Sequence, residues 1–141
     1  IGWTVSNREL ADKFRGYRDY TMICAGVFDD MVATLVLENK EAILERNRQI
    51  VEENLALMDA WIAKEPKASW IRPASVSTSF VKLDVNRPIE DFALELLQDY
   101  GVLVVPGNRF DKESHVRIGY CCDKEVLQKG LEKLSQFLNK C

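Results

Sequence analysis

Apolar residues recur along the middle of the chain at Leu44, Val51, Leu55, Met58 and Ile62, in steps of seven, four, three and four. That spacing lays one stripe along a helix. Ile43, Ile50, Leu57 and Trp61 widen the stripe, Lys, Glu, Arg and Asn fill the opposite side, and Pro66 ends the segment. Ahead of it, Leu10, Phe14 and Tyr17 fall at helical spacing and predict a helix over residues 7–17. Ser6 with Glu9 three residues on has the form of a capping box at its start. Residues 1–5 read as the end of a strand and residues 20–26 as a loop. Residues 27–37 are apolar apart from Asp29, Asp30 and Thr34, the pattern of a helix buried on most sides.

The second half switches between periods. Residues 70–72 and 77–84 read as strands, the second alternating through Phe80, Leu83 and Val85 as a half-buried strand does. A helix follows, with Pro88 in its first turn, Glu90 and Asp91 near its N-terminus and Gly101 at its C-cap. Residues 102–105 form a short buried strand stopped by Pro106 and Gly107, and a loop over 107–114 leads to a strand through His115 and Tyr120. The last helix is capped by Asp123 and packs through Leu127, Leu131, Leu134 and Leu138. From Lys40 on, the order is helix, strand, helix, strand, strand, helix. It predicts a two-layer α/β sandwich, a small and mostly antiparallel sheet with helices on one face. Residues 1–37, a strand and two helices with no sheet of their own, are expected to be the remnant of a larger domain, and residues 38–141 a domain in themselves. The chain opens on IGW without methionine, so it is expected to be the C-terminal part of a longer protein. Residues 27–37, left uncovered, are expected to promote self-association.

Composition narrows the classes. The 141 residues are 47% hydrophobic, 29% charged and 9% aromatic, a globular balance. The net charge is -3 and no basic run exceeds a dipeptide, so no nucleic-acid footprint is indicated. No apolar run approaches the roughly 20 residues of a membrane span. Cysteines 24, 121, 122 and 141 show no C-x-x-C spacing and read as reduced thiols of a cytoplasmic protein. A single histidine, His115, supports neither a histidine-rich metal site nor a triad. Asp29 and Asp30 are neighbours on a helix, point about 100° apart and read as solvated or capping acids. No metal site and no catalytic acid-base pair is expected.

Arg117 stands out, a charged side chain between Val116 and Ile118. It is either an outer-face cation paired to an acid, or a guanidinium aimed into a cleft to grip a carboxylate in bidentate fashion.

In order along the chain, IGW with its capped helix, the long helix over residues 40–63, GVLVVPGNRF and HVRIGY resemble the C-terminal part of a class I/II, fold-type I aminotransferase dependent on pyridoxal 5'-phosphate. The resemblance implies that Arg117 binds the substrate α-carboxylate and that Asn108 and Arg109 lie in a loop lining the substrate side. It implies that Thr21 approaches the cofactor phosphate of the partner subunit in a homodimer, although Met22, Ile23 and Cys24 depart from the family's usual Ser or Thr. PGNRFD and ASVSTSF also depart, where small residues or Gly are commoner, and both touch substrate fit. The cofactor-bearing lysine and the aspartate facing the ring nitrogen are expected upstream. The chain alone is then expected to be inactive, the longer enzyme exchanging an amino group between an amino acid and a 2-oxo acid. Three alternatives stay open: a lyase or decarboxylase on the same scaffold, a non-catalytic effector domain of a transcriptional regulator, and a free-standing ligand-binding or oligomerisation module built from residues 40–141.

Overall fold

The computed structural model describes residues 1–74 and 76–141, so Ser75 of the ASVSTSF stretch lies outside the described residues. Two compact units divide the chain, Ile1–Glu45 and Arg46–Cys141, with the boundary inside one long helix.

In the first unit, helix α1 spans Arg8–Thr21 and helix α2 spans Val27–Glu38. The cap of α1 is Asn7 and not Ser6: its side chain accepts from the Leu10 amide at 3.0 Å. Ser6 instead donates to the Asn7 carbonyl. Moving the cap by one residue puts Glu9 out of reach of a reciprocal bond, and it pairs with Lys13 at 2.8 Å. The helix also runs beyond residue 17, to Thr21. It ends on Ile23 at φ 57, a left-handed conformation costly for a β-branched side chain. No strand forms over residues 1–5, because a strand exists by pairing and this unit holds no other extended segment among its described residues. Helix α2 forms as expected but is not buried. Val27, Phe28 and Leu35 are 71%, 83% and 59% exposed. A helix apolar all round needs cover on several sides, which its own unit does not supply.

Helix α3, Lys40–Ile62, carries the long stripe across the boundary, with Asn54, Leu55 and Met58 buried. In the second unit the strands β1 (Ala68–Trp70), β2 (Thr78–Leu83), β3 (Val105–Pro106) and β4 (His115–Gly119) form one antiparallel sheet in the order β1-β2-β4-β3. Helices α4 (Ile89–Tyr100) and α5 (Lys124–Leu138) complete it. Val81, Leu83, Val116 and Ile118 point to the inner face, where they join Phe92, Leu96, Leu131, Leu134 and Met58 in one core. Full burial of each such side chain contributes about 1.5–3 kcal/mol. This is the expected two-layer α/β sandwich.

Three details differ from expectation. Phe80 is not among the inward residues of β2, since Ser79, Val81 and Leu83 are the buried set. One residue of phase turns every side chain to the other face. The third strand is only two residues long: Gly101, left-handed at φ 67, ends α4, and pairing with β4 begins at Val105. The first strand sits at Ala68–Trp70, earlier than residues 70–72.

Candidate functional site

Strict alternation along β4 decides where Arg117 goes. Val116 and Ile118 are buried in the core, so Arg117 emerges exposed on the opposite face of the sheet. In register beside it stand Phe80 of β2 and Val105 of β3, and the next outward pair is Lys82 with His115. Both flanking strands hold the backbone of Arg117, so its Cα position is fixed.

No carboxylate pairs with Arg117 among the described residues. Its guanidinium lies over the ring of Phe110, 5.3 Å from the centroid. Phe110 meets Phe80 edge-on at 5.8 Å and 84°, and Phe80 stacks on His115 at 4.8 Å and 18°. Thr78, Ser79, Phe80, Phe110 and Arg117 line an open hollow of about 260 Å³. It presents one cation and an aromatic wall, a combination suited to a small carboxylate with an apolar portion.

The turn bearing Phe110 is anchored twice. Residues Gly107–Phe110 form a single 3-10 turn between β3 and β4. Gly107 is buried with the carbonyl oxygens of Lys112 and His115 against its Cα, leaving no room for a β-carbon. Glu90, in the first turn of α4, accepts from Asn108 Nδ2 at 2.7 Å through Oε2, while Oε1 pairs with Arg109. Asn108 Oδ1 is left buried without a partner. Burial, and then the charges of Lys112 and Lys82, push the pKa of His115 below its usual value. That keeps the ring neutral beside Phe80, with Nδ1 buried and unpartnered.

Arg117, Asn108 and Arg109 therefore share one corner of the second unit. Thr21 belongs to the first unit, where its exposed hydroxyl donates to the Tyr17 and Arg18 carbonyls, each at 3.3 Å. Phe80, Phe110, His115 and Glu90 were not expected at the site. A shifted phase for β2 would have turned Phe80 outward, but Glu90 carried no signal beyond its place near a helix N-terminus. The four cysteines are exposed and free, and no cluster of metal-ligating side chains exists among the described residues. No helix among them is long and apolar enough to cross a membrane.

Known proteins resemble this chain in sequence and in fold. The family profile "Aminotransferase class I and II" matches residues 1–134. The crystal structure of a PLP-dependent aminotransferase from Streptococcus suis 89-1591 superposes with a TM-score of 0.94 at 62% identity, covering 99% of this chain and 37% of that one. A PLP-dependent cyclase, OrfR, superposes at 0.89 with 26% identity, over 96% of this chain and 38% of its own. Capreomycidine synthase of Streptomyces vinaceus is 27% identical over 98% of this chain and 36% of its own length. The chain thus spans little more than a third of the length of these three relatives.

Proposed function

The chain belongs to the class I and II aminotransferase family, and from that premise we propose that it forms the C-terminal portion of a pyridoxal 5'-phosphate-dependent aminotransferase. The enzyme exchanges an amino group between an amino acid and a 2-oxo acid, and Arg117 grips the substrate α-carboxylate. The observation that carries this reading is an exposed strand arginine, unpaired with any acid among the described residues, beside an aromatic-walled hollow.

Arg117 brings a planar fork of donors whose geometry matches a carboxylate. Gripped there, the substrate is fixed at one end, and the bond that reacts is held in one orientation. That converts an encounter into a positioned reaction, which is where much catalytic advantage lies. Phe80 and Phe110 exclude water from one side of the fork and strengthen its hold. Asn108, tied to Glu90 through its amide nitrogen in the turn that carries Phe110, is assigned to the substrate side of the site.

Within this chain the fit to the cofactor rests on one hydroxyl. Thr21 shares its proton between two helix carbonyls at 3.3 Å, and a phosphate oxygen would offer it a charged, stronger acceptor. We assign it a single contact to the phosphate bound by the partner subunit of a homodimer. When bound, the cofactor supplies the electron sink for ionising a bond at the substrate α-carbon. No residue of this chain is assigned the proton transfer, so the chain alone is inactive on this reading. A cytoplasmic location fits four free thiols.

A second reading is favoured by the two relatives whose names specify other products, capreomycidine synthase and a PLP-dependent cyclase. One scaffold supports several reactions, and the enzyme would then close a ring in its amino-acid substrate. The test supplies the full-length protein with pyridoxal phosphate, a panel of amino acids and a 2-oxo acid. Transfer yields a new amino acid and a new 2-oxo acid; ring closure yields a cyclic product with the added 2-oxo acid unconsumed. In either case Arg117→Ala raises KM and lowers kcat/KM, and an unchanged kcat/KM overturns the role given to Arg117.

A further inference from the structure

An arginine meant to bind a ligand poses a physical problem. A long side chain needs orientation, yet the usual orienting partner, a carboxylate, takes up the same N–H donors and neutralises the charge. Here orientation comes from a ring. The Arg117 guanidinium sits 5.3 Å from the Phe110 centroid, and no acid pairs with it among the described residues. A π face attracts the cation without accepting its in-plane hydrogen bonds, so the donor fork stays open at its rim.

Phe110 is itself held for this. Its ring meets Phe80 edge-on, and Phe80 is stacked on His115, so a row of three rings backs the guanidinium. Its backbone belongs to the turn that Gly107 seats against two carbonyls and that Glu90 ties through Asn108 and Arg109. Phe110 remains 44% exposed, so the cation–π contact lies at the surface.

We propose that Phe110 is a positioning residue that aims Arg117 at the substrate carboxylate through its aromatic face, fixing the arginine while leaving its charge and donors free. The inference rests on the reading of Arg117 as the carboxylate grip. An exposed cation–π contact accounts for about a two- to fivefold change in affinity.

The test uses the full-length protein with pyridoxal phosphate and two probes, pyruvate and its methyl ester, which lacks the carboxylate. Phe110→Leu and Phe110→Met remove the π face while keeping an apolar side chain. Both weaken pyruvate binding about two- to fivefold and leave the ester unaffected; KM for the amino acid rises in step and kcat holds, the pattern of lost uniform binding. Phe110→Tyr and Phe110→Trp restore pyruvate binding. Arg117→Ala is measured alongside and separates two failures. If it leaves pyruvate binding unchanged, the grip itself is wrong. If it removes discrimination between acid and ester while Phe110→Leu and Phe110→Met bind like the parent, the grip stands and the positioning role falls. Equal weakening by the apolar and the aromatic substitutions, or equal effects on acid and ester, assigns Phe110 to packing and also overturns the proposal.

Discussion

Asn54 is a buried amide on α3, 2% exposed, and it fastens the end of the strand that carries Arg117. Its Nδ2 donates to the Tyr120 carbonyl at 2.7 Å and to the Cys122 carbonyl at 2.8 Å. Replacing Asn54 by Ala removes both bonds. Tyr120 is fully buried, so its carbonyl has no water to turn to, and an unsatisfied buried acceptor costs about 1–3 kcal/mol. Cys122 is exposed, and solvent can take over there, so that loss is about 0.5–1.5 kcal/mol. Together, Asn54→Ala should destabilise the second unit by roughly 2–4 kcal/mol once partial relaxation is allowed for. Asn54→Asp should be worse, because it sets a buried carboxylate against two carbonyl oxygens. Urea unfolding followed by far-UV circular dichroism measures both through the midpoint, provided the slope is unchanged. A loss below about 0.5 kcal/mol for Asn54→Ala would refute the reasoning, since that is the range of an ordinary surface substitution.

Gly107→Ala drives a methyl group into the Lys112 and His115 carbonyls; overpacking of this kind costs about 1–3 kcal/mol. It should displace the turn bearing Asn108 and Phe110, seen as lower thermal stability together with a raised KM. Glu90→Ala breaks an exposed pair and a bond at 2.7 Å, so stability should change by no more than about 1 kcal/mol while KM rises; a parental KM would show that the turn holds without it. His115 should titrate below 6.5 in an NMR pH series, its signal assigned by loss in His115→Gln, and Lys82→Ala should raise the midpoint only part of the way, because burial is the larger cause. The sign follows from linkage: the folded protein disfavours the imidazolium, so the stability His115 contributes is complete above 6.5 and is lost as pH falls through the depressed folded value. Stability rising on acidification through that window because of His115 would contradict its burial.

Periodicity made most of the fold legible because each element in the second unit buries one face. The stripe of Leu127, Leu131, Leu134 and Leu138 is buried throughout, and Asp123 caps that helix by accepting from the Glu125 amide at 2.9 Å. Where the pattern misled, a local choice had two nearly equal answers. Ser6 and Asn7 are both good caps, and which one bonds depends on the entry path of the chain. In β2 the apolar residues Phe80 and Val81 are adjacent, so alternation alone left the phase open; cross-strand pairing of Val81 with Val116 decides it. Helix α2 shows the reverse limit. An apolar circumference specifies that a helix wants cover, while the cover itself lies in other parts of a structure.

The site was legible in its cation and illegible in its setting, and alternation explains both. Once Val116 and Ile118 are committed to the core, Arg117 has only the outer face to occupy, so its placement follows from three consecutive residues. What surrounds it comes from elsewhere: Phe80 from the facing strand, Phe110 from a turn, and Glu90 from a helix start 19 residues from Arg109. Sequence spacing cannot bring such groups together, because their approach depends on the register of β2 with β4 and on the seat of Gly107. The identity of the orienting group also matters more than its distance. An acid near Arg117 would have made the outer-face salt bridge the better reading and left a substrate carboxylate to compete for an occupied fork. A ring in that position orients the same guanidinium for about 0.5–1 kcal/mol and leaves the fork unspent, which is why the absence of an acid partner among the described residues, and not the presence of an arginine, favours a ligand-binding role.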